Sequence, residues 1–499
     1  MKRTYFVALS VAAFLAAPAG LVAGRPVDAP RIRVVVDPRI ELMTIVFRLA
    51  GNVEYSYSGV ASYAKDVDAH FERFKNHPAV VRARELHKAR HISFGDPIVL
   101  ALTITDPPAL AERVPLDPFP DPRTRWTPAD ARAFLADLRV FARDANVSAF
   151  FAAHDSLYRT SVARLETMLG EAGLSGWLDR FFRRGADVGY VVAISLLNGS
   201  GSFGGLRVRP ALADRTGPGA PESSRREDLY VVLGTGDVDS GGLPAFPRSR
   251  AMTVVHEFAH SFVSPVVKAH LPQLMPAAET LYQVVRNEME RQAYGPGETI
   301  LHETLVRACT VRYAAGQGGG EAGRKQGAFE RERGFLAVEK LADLLGEYEQ
   351  EPAKYPTIDT FAPRIVSFFE DYRRVAAAEA GAIQAERRAK FEAGNAPKVV
   401  AMMPENGAEN VEVAGVTGIT VTFDRPMRHL AVVQLPGVAF PKVTGRPVYD
   451  STATVLTIPC RLEPGTAYGL QLNSEKNMVM TDEQGNLLAP VTWRFTTRK

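Results

Sequence analysis

At Gly394-Asn-Ala-Pro397 the chain changes its hydrophobic period, and one layered core cannot serve both sides of that change. Upstream, stretches such as Pro128 to Ala145 repeat apolar residues at three-and-four spacing, which lines one face of a helix. From Lys398 onward, short alternating strands between turn residues turn every second side chain to one face. The 499 residues also exceed what one ordinary core holds. We therefore expect residues 25–395 to form an α+β domain, mainly helical with a small sheet, and residues 398–499 to form an all-β sandwich. No internal repeat is visible.

The first 24 residues carry Lys2 and Arg3, an apolar run from Tyr5 to Ala17, and small residues at Ala17-Pro-Ala19 and Val22-Ala-Gly24. This is the pattern of a secretory signal peptide, cleaved after Ala19 or Gly24. The apolar run is shorter than the roughly 20 residues of a spanning helix. The expectation is an exported chain, periplasmic or secreted, with no membrane span after cleavage. No cysteine follows the signal to carry a lipid anchor. Cys309 and Cys460 fall in different expected domains, so no disulfide framework is implied. A net charge of +3 with 23% charged residues speaks against a nucleic-acid partner, which would need a concentrated basic face. The Arg-rich spots at Arg180-Phe-Phe-Arg-Arg184 and Arg373-Arg374 read as solvated helix faces.

After the signal, Arg31 to Val36 and Leu42 to Leu49 read as extended or buried apolar segments. Helices are predicted over Ala61–Phe74, Pro128–Ala145 and Ser148–Glu171, with Thr127-Pro128 as a cap followed by a first-turn proline. Val188 to Leu197 is strand-like, Phe203 to Val208 is expected to pair with it, and Leu229 to Leu233 is a third strand. The Gly-, Pro- and Ser-rich run from Arg215 to Asp228 reads as a loop. Helices resume at Ser249–Val263, Ala277–Tyr294 and Glu298–Ala315. A Gly-rich break at Gly316–Gly323 separates them from Gly327–Tyr348 and Phe361–Ala393.

The chemistry concentrates in Met252-Thr-Val-Val-His256-Glu257-Phe-Ala-His260-Ser-Phe262. Two histidines four residues apart on a helix project from one face, so their imidazoles can share a tetrahedral Zn²⁺. Glu257 then lies beside the open coordination position, where it can take a proton from attacking water and pass it to a leaving amine. Val254, Val255, Phe258, Ala259 and Phe262 would bury the helix, leaving the polar groups partly inside and in need of a partner. Without a metal, the same residues would be a helix with surface His and Glu.

This H-E-x-x-H pattern resembles that of the zinc metallopeptidases. Val266 stands where the third histidine of the metzincins would be, and Pro265 is expected to end the helix before His270. Gluzincins instead take a Glu from a later helix. The segment Glu298-Thr-Ile-Leu-His-Glu303-Thr-Leu-Val-Arg307 supplies Glu303 as the preferred third ligand, with Glu288 and Glu290 as rivals. Arg307, one turn on, could hold the carboxylate. His302 could hydrogen-bond an oxyanion or be a satisfied surface histidine. Tyr294 and Tyr313 are both candidates for a phenol aimed at the tetrahedral intermediate, and either could simply pack.

The region is also similar to a bacterial family of predicted metallopeptidases through His256-Glu-Phe-Ala-His260-Ser-Phe262, Glu303-Thr-Leu-Val-Arg-Ala308 and, more loosely, Ile40-Glu-Leu-Met-Thr-Ile-Val-Phe-Arg-Leu-Ala50. The resemblance implies a zincin-like fold with one catalytic Zn²⁺ and a peptide or protein substrate. In such folds a strand edge beside the active helix receives the substrate backbone. The glycines of Asn198-Gly-Ser-Gly201-Ser-Phe203-Gly204-Gly205 would permit that close approach, although a plain hairpin turn reads as well. The last hundred residues resemble the bacterial Ig-like domain through Pro404-Glu-Asn-Gly-Ala408, Ile419 to Met427, Leu462 to Tyr468 and Trp493 to Thr497, with Tyr468 as a tyrosine corner. That module implies docking to a cell surface or matrix. The competing expectations are a binding protein whose zincin domain no longer catalyses, and a zinc hydrolase of a non-peptide amide.

Overall fold

The computed structural model describes residues 32–119, 124–184, 188–208, 227–392, 396–474 and 479–499. The expected signal peptide, most of the 215–228 loop and part of the 394–397 linker lie outside those residues. The chain divides into two compact units, Met1–Gly201 with Arg207–Ala251, and Ser202–Leu206 with Met252–Lys499.

The first unit is built on strands β1 (Arg33–Val36), β2 (Val188–Ser195) and β4 (Glu227–Gly234), with the end of β3 (Ser202–Val208), in the sheet order β1-β2-β4-β3. β2 runs parallel to both neighbours, with Arg33 opposite Val191 and Val188 opposite Glu227. Every β2 residue is buried, as expected of a parallel strand covered on both faces. The expected pairing of Phe203–Val208 with β2 is therefore corrected, because β4 occupies that side. At the end of β3, Arg207 pairs with Glu227 at 2.8 Å.

β1 leads into helix Pro38–Ala50, where the Asp37 side chain accepts from the Arg39 amide at 3.0 Å and Gly51 closes the end at φ 95°. Of the two readings of Leu42–Leu49, extended or buried apolar, the second holds, in a helix. Nearly every residue from Arg39 to Leu49 is buried, and burial on all sides erases the one-faced period by which a helix is read. Among the described residues seven further α-helices follow, Ala61–Phe71, Pro78–Arg90, Gly95–Leu102, Pro128–Asp144, Val147–Ala153, Asp155–Glu171 and Leu174–Phe182. Thr127 caps the fourth of these through the Asp130 amide at 3.1 Å. The helix expected over 148–171 is interrupted at His154.

One carboxyl ties the ends of β1 and β2 together. Glu41, in the first turn of helix Pro38–Ala50, accepts from the Leu196 amide and from the Tyr63 hydroxyl, each at 3.0 Å. Complete burial outweighs these bonds and pushes its pKa up from 4.5 to about 7. An unfolded chain releases that proton near pH 4.5 while the folded one keeps it until about pH 7, so stability falls as pH rises through this window. We expect Glu41→Gln, which stays neutral, to flatten the fall in unfolding temperature between pH 4.5 and 7. Scanning calorimetry across that range checks it, and parallel curves for the two proteins would refute it.

In the second unit the H-E-x-x-H helix runs from Arg250 to Ala269 with Pro265 inside it. The expected stop at Pro265 is corrected. Proline in a helix costs about 3 kcal/mol, and the burial of Val263, Val266 and Val267 on either side offsets it at roughly 1.5–3 kcal/mol per side chain. Helices Leu271–Val284 and Arg286–Arg291 replace the single one expected over 277–294. The next helix spans Thr299–Glu332, broken at Gly318 and Gly319. Gly319 has φ 73° and ψ −175°, a region essentially confined to glycine. The break therefore reverses the chain rather than spacing two separate helices. Gly323 fits against Ala315, whose Cβ would lie 2.9 Å from any added Cβ. Helices Val338–Gln350, Ile358–Tyr372 and Ala376–Glu392 complete this part.

The remainder is all β. One sheet joins Val432–Gln434, Ala467–Leu472, Val491–Thr497 and Ala408–Val411. The other centres on Val399–Met403, Gly418–Phe423 and Val455–Arg461. Ile419, Val421, Leu456, Ile458, Leu470 and Trp493 fill the core between them. Tyr468 accepts from the Glu463 amide at 2.7 Å, the bond of a tyrosine corner. Cys309 and Cys460 are both buried and unbridged. The β-module touches the second half of the long helix, where the His429 ring stacks on Phe329 at 6.0 Å and its Nε2 lies 3.7 Å from Glu332. Among the described residues no helix is long and apolar enough to cross a membrane.

Candidate metal centre

The helical pitch puts His256 and His260 on one face of helix Arg250–Ala269, their ring centroids 5.0 Å apart. The helix is fixed by its apolar sides, Val254, Val255, Phe258 and Ala259, all fully buried. Its backbone is also met directly by a strand. An added Cβ on Gly204 would sit 2.2 Å from the Glu257 carbonyl oxygen, so only glycine lets the strand lie this close.

Glu303 comes from helix Thr299–Glu332 and meets both imidazoles. Its Oε2 is 3.6 Å from His256 Nε2 and its Oε1 is 3.5 Å from His260 Nε2. These separations are too long for hydrogen bonds. Each, to its own oxygen, is near the roughly 3.4 Å between two ligands of a tetrahedral ion with bonds of about 2.1 Å. Among the described residues this is the cluster whose ligand atoms all lie within 4.8 Å of one another. The donors suit zinc, being two imidazoles and one carboxylate. Burial, followed by the neighbouring His260 and the Arg307 and Arg333 charges, holds His256 well below the usual imidazole range. It is therefore neutral at neutral pH and has a lone pair to give. Glu257, next to His256, is half-buried on the same helix.

Two groups hold Glu303 from behind. Tyr294 donates to Oε2 at 3.1 Å, and Arg307 Nη2 donates to the same oxygen at 3.1 Å and to the Tyr294 oxygen at 3.2 Å. Of the two candidate phenols, Tyr294 is the one that reaches the cluster. Burial and the Glu303 charge raise its pKa, so it stays a donor. Tyr313 is buried further along the helix, about 15 Å from Glu303 by the helical rise. His302 does not share the ligand face. Its Nε2 lies 3.6 Å from Glu298, one turn back, and burial lowers its pKa. Nor do the rival carboxylates join the cluster. Glu288 pairs with Arg291 at 3.4 Å, and Glu290 is exposed. Gly201 accepts from the Asn198 side chain at 3.0 Å, and Phe203 lies half-buried in β3.

Sequence reasoning missed the shell behind Arg307. Its Nη1 donates to Glu330 at 2.7 Å, and its guanidinium lies over the Phe335 ring at 4.1 Å. Arg333 Nη1 also donates to Glu330, at 3.3 Å. The run Gly318-Gly-Gly320 was the one available signal, because a reversal there returns Glu330 along the helix toward Arg307.

Comparison with known proteins gives two domain matches. Residues 248–368 match the model of a domain of unknown function, DUF4932, and residues 393–497 match a bacterial Ig-like domain. Helices followed by an Ig-like module are thus the layout of the chain. Two solved structures of surface-layer proteins share 14% and 15% identity with it, the S-layer protein rSbsC and domains 1–6 of SbsC. The first covers 48% of this chain at TM-score 0.16 and the second 50% at 0.14. The chain spans only 34% and 37% of their lengths. No curated protein matches.

The close approach at residue 204 has a measurable consequence. Gly204→Ala must displace the strand from the Glu257 backbone, so we expect a loss of about 1–3 kcal/mol, the usual cost of overpacking. Denaturant unfolding at equilibrium measures it, and an unchanged midpoint would show that the strand moves freely there.

Proposed function

We propose that the chain is an exported zinc metallopeptidase in which His256, His260 and Glu303 hold the ion and Glu257 is the general base. The observation that carries this reading is the convergence of the three side chains, whose ligand atoms lie within 4.8 Å of one another, with one Glu303 oxygen 3.6 Å from His256 and the other 3.5 Å from His260. Zinc bound there would polarise a substrate carbonyl and make water nucleophilic near neutral pH. The residues of the chain would do the rest. Glu257 takes the proton of the attacking water and delivers it to the leaving amine. Tyr294 and Arg307 hold the Glu303 carboxylate in place, each by a bond to its Oε2. Strand β3 ends its sheet, and its outer edge would receive the substrate backbone as an added strand. The Ig-like domain would dock the enzyme to a cell surface or matrix, and the N-terminal pattern would export it.

The test uses purified protein and a mixed peptide library. We expect bound zinc by elemental analysis, cleavage abolished by chelator and restored by zinc, and a drop of about 10²–10⁴-fold in rate for Glu257→Gln. Zinc retained without any cleavage would favour a binding protein. Cleavage indifferent to chelator, or unchanged in Glu257→Gln, would end the proposal.

A further inference from the structure

Resting on the metal reading above, we infer that Glu330 is a positioning residue for Glu303, holding Arg307 off that carboxylate so that an oxygen stays free for a divalent cation. Arg307 is 4% exposed and lies one turn from Glu303 on the same helix. A buried guanidinium left with one carboxylate closes on it through two parallel bonds. Such a fork would occupy both Glu303 oxygens and compete with any metal. The structure shows a different division. Nη1 goes to Glu330 Oε2 at 2.7 Å, and only Nη2 reaches Glu303, on Oε2 at 3.1 Å. Oε1 is thereby left toward His260 at 3.5 Å.

Glu330 is built to stay where it is. It is 4% exposed, Gln326 Nε2 donates to its Oε1 at 2.9 Å, and Arg333 Nη1 donates to its Oε2 at 3.3 Å. On an unbroken helix it would lie about 35 Å from Arg307. The reversal at Gly318 and Gly319 brings the two into contact. Charge is balanced as well, since Glu303 and Glu330 face Arg307 and Arg333. Removing the Glu330 charge leaves Arg307 with Glu303 as its remaining close carboxylate.

The experiment measures zinc affinity by competition with a chromophoric chelator, and the visible spectrum of the Co²⁺-substituted protein, on the full chain. Glu330→Gln is expected to weaken zinc binding about 10–100-fold, the usual effect of a residue behind a metal ligand, and to alter the Co²⁺ bands. Circular dichroism of the metal-free proteins checks folding. Should Glu330→Gln not fold, Glu330→Asp, which keeps the charge but draws it back, is expected to weaken binding in the same direction. The double variant Glu330→Gln/Arg307→Met removes the competitor and is expected to bind zinc more tightly than Glu330→Gln alone. Wild-type zinc binding with unchanged affinity in the folded Glu330 variant overturns the inference, as does a double variant no tighter than the single one. A wild-type protein that captures no zinc overturns the metal reading itself.

Discussion

A single buried guanidinium organises the helical part of the second unit. Arg307 joins the Glu303 and Tyr294 side chains on one side to Glu330 on the other, and lies over the Phe335 ring. Burying a cation this deeply is tolerable only when it is paired and hydrogen-bonded. Two acids from the two halves of one broken helix meet that demand. The fold-back at Gly318-Gly319 and the convergence of the His-His-Glu cluster are therefore parts of one electrostatic arrangement.

The sequence made local features legible and long-range ones only where a motif pointed to them. The four-residue spacing of His256 and His260 fixes their common face without reference to anything else. The alternating strands after Lys398, with Tyr468 and Trp493, mark the Ig-like module equally locally. Glu303 was reachable because its helix repeats acids and an arginine at helical spacing. Glu330 was not, since the glycine run at 318–320 marks a break but not the direction in which the chain leaves it. For Leu42 to Leu49 the buried reading held while the helix stayed unread for the opposite reason: buried on every side, it carries no polar face to set a period. Pro265 was given too much weight because its cost is local and its compensation, the packing of the surrounding valines, is tertiary.

The strand pairing follows similar logic. β2 is an unbroken apolar run, and such a run suits the middle of a parallel layer better than a hairpin arm. The neighbour it takes is therefore β4, which follows β3 along the chain. Glu41 at the end of that layer shows the cost of such burial. Two good hydrogen bonds do not compensate for the lost water, and its carboxyl holds a proton into the neutral range.

The contact between the β-module and the long helix adds a mechanical dimension. His429 stacks on Phe329 and approaches Glu332, the residues on either side of the turn that carries Glu330. The C-terminal module therefore packs against the same helical turn that grips Arg307. The Ig-like module and the cluster thus share one stretch of helix, joined by packing as well as by the chain itself.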